Sequence, residues 1–168
     1  MKIGVFSDVH DRIDHFDLMM FEMKKHHCDR FLFLGDGADL ETFRHMMEAT
    51  EPIPFDIILG NNDFDALMIQ QMATQSPHSD LLGTRAALRY EDKNIFATHL
   101  PQEAIRALHT GHYDAVLYGH THQPESEFTP FGLLGNPGEI QGRSRLVTYG
   151  ILDTEPFSFT IHEVPCYG

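Results

Sequence analysis

Short apolar runs alternate with amphipathic stretches in the first part of the chain. Three runs have the length and uniform hydrophobicity of buried strands: KIGVFS (2–7), RFLFLG (30–35) and FDIILG (55–60). Between them, apolar residues recur at spacings of three and four, at Ile13, Phe16, Met20 and Met23 and again at Leu40, Phe43 and Met47. This spacing predicts two amphipathic helices. Strands that alternate with helices predict a parallel sheet with crossover connections.

The pattern changes in the second half of the chain. Residues 85–99 predict two strands around a turn at 91–94, and a helix is expected to begin at Pro101, with Ala104, Ile105 and Leu108 on one face. Four further segments predict strands: DAVLYG (114–119), SEFTPFGLLGN (126–136), RSRLVTYGILDT (143–154) and FSFTIHEV (157–164). The polar segment 72–83 is expected to be a connecting loop. We therefore expect an α/β fold in which two mixed β-sheets pack face to face with helices outside.

Length, charge and cysteine content limit the class of protein. A chain of 168 residues is expected to form a single domain over 1–168. Its net charge of −13 and twelve scattered Lys and Arg residues make nucleic acid an unexpected partner. There is no apolar run of the ~20 residues needed to span a bilayer and no secretory signal, so we expect no membrane partner and a cytoplasmic location. Cys28 and Cys166 have no metal-type spacing, which suits free thiols. A homo-oligomer formed through strands near 128–134 is left open.

Polar residues that can bind a metal follow five of the predicted strands. They form the motifs SDVH (7–10), GDG (35–37), GNND (60–63), TH (98–99) and GHTH (119–122). Ligand sites in α/β sheets gather at the carboxyl ends of the strands. Carboxylate, amide and imidazole donors suit Mn²⁺, Fe²⁺, Ni²⁺ and Zn²⁺. The position and the chemistry of these motifs both indicate a metal site.

Each motif also has an ordinary structural explanation. GDG and GNND are typical turn sequences, and a lone His99 is more often a hydrogen-bonded structural residue. In GHTH and DVH, a spacing of two in extended backbone would point both side chains the same way. Arg12 is expected to contact either a substrate phosphate or the helix that it precedes. Five such motifs at five strand ends favour a common site over five unrelated turns.

The order D-x-H, GD, GN-x-D, H and GHTH resembles that of the calcineurin-like metallophosphoesterases, especially their small single-domain bacterial and archaeal phosphodiesterases. The resemblance extends to NPGE (136–139) and GILDTE (150–155). It implies the four-layer αββα fold of that family and two divalent metal ions, with manganese expected and nickel, iron and zinc as alternatives. The implied ligands are Asp8, His10 and His122 for one ion, Asn61, His99 and His120 for the other, and Asp36 as the bridge.

The resemblance also implies an activity, the hydrolysis of a small phosphoester by a hydroxide that bridges the two ions, with a diester preferred over a monoester. The two ions outweigh the Asp8 and Asp36 carboxylates by about two positive charges, which would attract a phosphate to this acidic chain. Larger relatives carry a histidine in the third position of GN-x-D, where this chain has Asn62. An amide does not titrate near neutral pH, so Asn62 is expected to hydrogen-bond a substrate oxygen, and substrates with good leaving groups are favoured. Asp63 is expected to orient other residues of the site. A second departure lies beside His99, where many relatives have another histidine and this chain has Leu100.

Three other functions fit the sequence less well: a scaffold subunit, a metallo-β-lactamase-type hydrolase and a nuclease. A eukaryotic relative of this fold is a scaffold subunit of membrane-trafficking coats with a degraded site, but no implied ligand position here is apolar. A metallo-β-lactamase-type hydrolase needs an H-x-H-x-D-H segment, whereas Gln123 and Pro124 follow His122. Nuclease relatives carry added basic segments, which are not evident in this sequence.

Overall fold

Two mixed β-sheets pack face to face in the computed structural model, which describes residues 1–165. The helices are α1 (Ile13–Lys24), α2 (Leu40–Thr50), α3 (Ala66–Thr74) and α4 (Pro101–His109). The strands are β1 (Lys2–Phe6), β2 (Arg30–Phe33), β3 (Phe55–Ile58), β4 (Ser79–Gly83), β5 (Arg85–Tyr90), β6 (Lys93–Thr98), β7 (Ala115–Leu117), β8 (Glu125–Thr129), β9 (Gly132–Asn136), β10 (Val147–Thr154) and β11 (Phe157–Val164). The predicted α/β fold with two mixed sheets is confirmed.

The two sheets bring the carboxyl ends of their parallel strands together. The six-stranded sheet has the order β11-β10-β1-β2-β3-β4, in which β1 to β4 are parallel and β10 is antiparallel to β1. The five-stranded sheet has the order β5-β6-β7-β9-β8, in which β6, β7 and β9 are parallel. The five polar motifs follow β1, β2, β3, β6 and β7.

The core consists of three apolar layers, and their arrangement explains the continuous apolar runs. On β2, Phe31 and Phe33 pack beneath α1 and α2, whereas Leu32, and Leu34 just after the strand, lie between the two sheets. Successive side chains of a strand point to opposite faces, so a strand that is buried on both faces is apolar throughout. A third layer joins α4 to the outer face of the five-stranded sheet.

Residues 72–83 do not form the loop that their polarity predicts. They comprise the end of α3, a turn and the edge strand β4, which pairs in parallel with β3. An edge strand has one side open to solvent and needs few apolar residues, since its hydrogen bonds hold it to the sheet. Only Ile69 and Ala73 of α3 are buried, so this helix leaves almost no hydrophobic periodicity in the sequence.

Two smaller expectations also differ from the structure. Ile105 is 42% exposed, and Ala107 takes its place beside Ala104 and Leu108 on the buried face of α4. The strand predicted from residue 143 begins at Val147, because residues 137–146 form a loop that folds over the strand ends. Cys28 is buried and free, whereas Cys166 lies outside the described residues. Within residues 1–165 there is no helix both long and apolar enough to cross a membrane.

Candidate metal centre

The loops that carry the polar motifs are hydrogen-bonded directly to one another. The Asp8 N–H donates to the Gly35 carbonyl at 2.9 Å, and the His10 N–H donates to the Asp36 carbonyl at 3.0 Å. The Gly119 N–H donates to the His99 carbonyl at 3.2 Å, which joins the loops after β6 and β7. The His120 N–H then donates to the Asp8 carboxylate at 3.1 Å and links the two sheets. Segments far apart in sequence thus form one connected surface.

All seven residues that the resemblance implies as ligands lie together on this surface. They form two clusters, and within each cluster the potential ligand atoms lie within 4.8 Å of one another: Asp8, His10 and His122, and Asp36, His99 and His120. The two clusters adjoin, because His10 Nε2 lies 3.4 Å from both Asp8 Oδ1 and Asp36 Oδ2. Asn61 extends the second cluster through its Oδ1, which lies 3.1 Å from His120 Nδ1.

Asp8 is buried, and its two oxygens have different partners. Oδ2 accepts hydrogen bonds from the Ser7 hydroxyl at 2.5 Å and from the His120 N–H. Oδ1 faces the imidazoles of His10 and His122, at 3.4 and 3.1 Å. Burial opposes ionisation, but the contacts with these imidazoles and with Ser7 outweigh it and hold the pKa of Asp8 well below its usual range. Asp8 is therefore a fixed carboxylate with one oxygen directed at the nitrogen donors.

Asn62 holds Asp36 in place. Its backbone N–H donates to Asp36 Oδ1 at 2.9 Å, and its side-chain amide donates to Oδ2 at 2.8 Å. Burial opposes ionisation of Asp36, but His99 and these two hydrogen bonds lower its pKa overall. The amide of Asn62 is thus engaged with a carboxylate of the site, and the contact with a substrate oxygen that the sequence predicts for it stays a prediction.

His99 leaves one nitrogen without a protein partner. Its Nδ1 donates to the Leu34 carbonyl at 2.7 Å, which requires the proton on Nδ1. Nε2 is buried without a hydrogen-bond partner and lies 3.3 Å from Asp36 Oδ2. Burial lowers the pKa of His99, but Asp36 and Asp8 raise it overall. An unpartnered buried acceptor is costly unless something binds it, and a nitrogen lone pair beside two carboxylates fits a divalent cation.

Asp63 ties two of the loops together. Its carboxylate accepts three backbone hydrogen bonds, from Asp36 and Gly60 at 2.8 and 2.7 Å and from Ala38 at 2.8 Å. Burial raises the pKa of Asp63, although these three N–H groups stabilise its charged form. The side chain is directed at the backbone of the loops after β2 and β3, and its orienting role in the site stays a prediction.

Close packing of the loops explains the glycine that precedes the polar residues in three of the motifs, GDG, GNND and GHTH. A Cβ at Gly60 would lie 2.1 Å from Asp36 Oδ1, and one at Gly35 would lie 2.7 Å from His99 Nδ1. A Cβ at Gly119 would lie 2.2 Å from the Ser7 hydroxyl. Any side chain at these three positions would push apart the loops that carry the candidate ligands.

The backbone at the candidate ligands is not extended, so that part of the prediction is wrong. Positive φ angles occur at five of the seven: Asp8 (57°), His10 (45°), Asp36 (65°), His120 (69°) and His122 (62°). Hydrogen bonds between the loops impose this left-handed backbone, which non-glycine residues seldom adopt. Both histidines of GHTH still point into the site, because alternate residues of this tight loop face the same side.

Several residues of the site were not singled out from sequence. Glu139, quoted only within NPGE, is buried with Oε2 2.6 Å from His122 Nδ1. Arg143 lines a cavity of about 360 Å³ beside the two clusters, with His120, Thr121, His122, Glu139 and Ser144. Arg12 is engaged with Asp14 at 2.9 Å and with the Gln141 carbonyl at 3.3 Å. Glu139 follows the end of β9 by three residues, as Asp36, Asn61 and His120 follow β2, β3 and β7, so its place in NPGE was a usable signal. Only spatial proximity identifies Arg143.

Known proteins are similar to this chain in sequence and in overall structure. Residues 1–156 match the calcineurin-like phosphoesterase superfamily domain. The chain is 29% identical over 160 residues to a phosphodiesterase of Methanocaldococcus jannaschii, covering 92% of this chain and 94% of that protein. The solved structure of an archaeal phosphodiesterase superposes with a TM-score of 0.88 and 26% identity, covering 97% of this chain and 99% of that one.

More distant structures share the fold alone. A phosphoesterase of E. coli superposes with a TM-score of 0.71 and 19% identity, covering 98% of this chain and 100% of that one. Vps29 of Chaetomium thermophilum superposes with a TM-score of 0.69 and 14% identity, covering 97% and 94%.

Proposed function

Because the chain belongs to the calcineurin-like phosphoesterase superfamily and is a phosphoesterase, we propose that it hydrolyses small phosphodiesters with two divalent metal ions, as a single domain over 1–168. The observation that carries this proposal is the pair of adjoining donor clusters with the buried, unpartnered Nε2 of His99 between two carboxylates. The similarity to the phosphodiesterase of M. jannaschii supports the preference for diesters.

In this proposal Asp8, His10 and His122 would hold one ion, Asn61, His99 and His120 would hold the other, and Asp36 would serve both. When bound, the ions supply Lewis acidity that lowers the pKa of water and neutralises phosphoryl oxygens. Manganese stays the expected metal, with nickel, iron and zinc as alternatives, because oxygen and imidazole donors without a thiolate accept all of these ions.

The protein's own residues then position the substrate. Arg143 is exposed on the wall of the 360 Å³ cavity beside the clusters, where its guanidinium can contact a phosphate oxygen of the substrate. Asn62 does not supply a proton to the leaving group, because its amide does not titrate and is bound to Asp36. Diesters with acidic leaving alcohols are therefore the favoured substrate class.

The scaffold function is less well supported. The likeness to Vps29 extends to the fold, but a scaffold has no need for seven metal-competent side chains that converge on one point. Failure of metal-loaded protein to hydrolyse any generic phosphoester would favour the scaffold instead.

The test is metal analysis combined with turnover. Protein stripped with a chelator and reloaded with Mn²⁺ should hold about two ions per chain and hydrolyse bis-p-nitrophenyl phosphate faster than p-nitrophenyl phosphate. Asp36→Ala should abolish turnover, because it removes the group between the two clusters. Asp92→Asn, a change of an exposed carboxylate in the β5–β6 turn, is the matched control. Full activity of Asp36→Ala, or chelator-resistant turnover, would refute the proposal.

A further inference from the structure

Glu139 is a buried carboxylate in the loop between β9 and β10, 1% exposed, and each of its oxygens has a separate task. Oε1 accepts two hydrogen bonds from Ser144, from its backbone N–H and from its hydroxyl, both at 2.7 Å. Oε2 lies 2.6 Å from His122 Nδ1, an ion-pair distance, and makes no hydrogen bond of standard geometry to any described residue. Since Ser144 occupies Oε1, Oε2 is left for the imidazole.

The contact determines which nitrogen of His122 faces the candidate metal centre. A carboxylate accepts hydrogen bonds, so the proton of a neutral His122 ring is on Nδ1. Nε2 then presents its lone pair, and it lies 3.1 Å from Asp8 Oδ1 in the first cluster. A histidine that binds a metal through one nitrogen is commonly held by a carboxylate through the other.

The loop that carries Glu139 is anchored to both neighbouring segments of the site. The Ile140 and Gln141 N–H groups donate to the Asp8 carbonyl, at 3.2 and 2.9 Å. Asn136 donates through Nδ2 to the Gly119 carbonyl at 3.2 Å and accepts from the Gly138 N–H at 2.9 Å, which joins the NPGE turn to the GHTH loop. The position of Glu139 relative to His122 is therefore set by the backbone on both sides.

We propose that Glu139 is a positioning residue for the Asp8–His10–His122 cluster: it fixes the ring and the tautomer of His122 so that Nε2 is available to a divalent cation. This inference rests on the proposed function, because the cation is the one that the phosphoesterase would use. The same carboxylate holds Ser144 and so keeps Arg143, the neighbouring residue, on the cavity wall.

Glu139→Gln tests the role of the charge with almost no change in shape. A glutamine amide cannot satisfy both sides, because it has one oxygen and one NH₂ group. If the NH₂ group faces His122, it donates to Nδ1 and moves the ring proton to Nε2, where it blocks the cation. If the NH₂ group faces Ser144, it lies against the Ser144 backbone N–H, and because both groups are donors the hydrogen bond between them is lost. Glu127→Gln, the same change at an exposed position of β8, is the matched control.

The experiment measures Mn²⁺ and Zn²⁺ binding by titration calorimetry on the full chain. Glu139→Gln should weaken one of the two binding steps about 10–100-fold, the usual cost of losing such an outer carboxylate, while Glu127→Gln binds like wild type. Equal weakening by both variants, or none by Glu139→Gln, would overturn the proposal while leaving the proposed function standing. Absence of metal binding by the wild-type protein would overturn both.

A second measurement needs no metal and is made on the wild-type protein, with one variant used only to assign the signals. In ¹⁵N-histidine-labelled, metal-free wild-type protein at alkaline pH, the ring nitrogens of His122 should show the tautomer with the proton on Nδ1. The His122→Gln spectrum assigns the signals. A proton on Nε2, or rapid averaging between the two tautomers, would overturn the proposal whatever the metal titrations give.

Discussion

Gly60→Ala should damage the site because of one contact distance. The added Cβ would lie 2.1 Å from Asp36 Oδ1 and 2.6 Å from the Asp36 backbone nitrogen. Gly60 cannot move away easily, because its N–H donates to buried Asp63 at 2.7 Å. Asp36 cannot rotate freely either, because Asn62 engages both of its oxygens. The clash must therefore be relieved by moving the Asp36 carboxylate together with its loop.

The size of the effect follows from the overlap. Carbon and oxygen atoms without a bond between them pack at roughly 3.5 Å, so the carboxylate has to shift by about 1 Å. A displacement of that size at a reacting centre costs about 100-fold in rate. Overpacking of a filled site costs about 1–3 kcal/mol of stability. We expect kcat/KM for a diester to fall about 100-fold and the Asp36–His99–His120 cluster to bind metal at least about 10-fold more weakly.

Gly111→Ala separates loss of stability from damage to the site. Gly111 has a φ of +71° with nothing within 4 Å of an added Cβ, and it lies beyond the end of α4. Alanine there is strained by about 1 kcal/mol but meets no atom. Urea unfolding measures the loss of stability in both variants, and metal titration and diester turnover measure the damage to the site. Wild-type metal affinity and turnover in Gly60→Ala, or an equal loss in Gly111→Ala, would refute the reasoning.

Three further predictions concern the core, a thiol and the leaving group. Tyr90→Phe should lower the free energy of unfolding by about 1.5–3 kcal/mol, measured in urea, because the Tyr90 hydroxyl on β5 donates to buried Asp56 on β3 at 2.8 Å and links the sheets. Burial raises the pKa of Cys28 to about 11, above the ordinary 9.0, so alkylation of the folded Cys166→Ser variant should accelerate with pH up to about 11. The stability that comes from keeping this thiol protonated is complete below pH 9.0 and is lost as the pH rises through about 11. Hydrolysis rates of aryl phosphodiesters should depend steeply on the pKa of the leaving phenol, because Asn62 cannot protonate it.

Each of these has its own control and its own contrary result. Tyr113→Phe changes a half-buried tyrosine that packs on Phe96, and an equal loss of stability in both tyrosine variants would show that the bond to Asp56 contributes nothing. An alkylation rate that levels off near pH 9.0 would show that Cys28 titrates as an ordinary thiol. A flat dependence on the leaving group would point to an unrecognised proton donor.

The elements that the sequence predicts well are those whose hydrophobic pattern is complete. β1, β2 and β3 are buried on both faces and read as continuous apolar runs, and α1 and α2 each bury a full face. α3 and β4 were missed, because a short helix with two buried residues and an exposed edge strand are held by the neighbouring sheet and carry little pattern of their own.

For the candidate site too, the sequence predicts features that depend on neighbouring residues and misses those that depend on distant ones. The identity of its donors could be predicted, since Asp, Asn and His follow strand ends in a recognisable order. Their backbone conformation could not, because the left-handed φ of Asp8 and His10 depends on hydrogen bonds to a loop more than twenty residues away. Glu139 is seventeen residues from His122, and only the folded chain brings them into contact.

Several of the candidate ligands are held by the protein through one atom and present another atom to the site. Asp8 is held through Oδ2 and presents Oδ1, and His99 is held through Nδ1 and presents Nε2. His122 is held through Nδ1 in the same way. Asp36 is the exception, because Asn62 in the loop after β3 engages both of its carboxylate oxygens. That loop has no room for a Cβ at Gly60, and for this reason a single methyl group there should act first on the carboxylate that both clusters share.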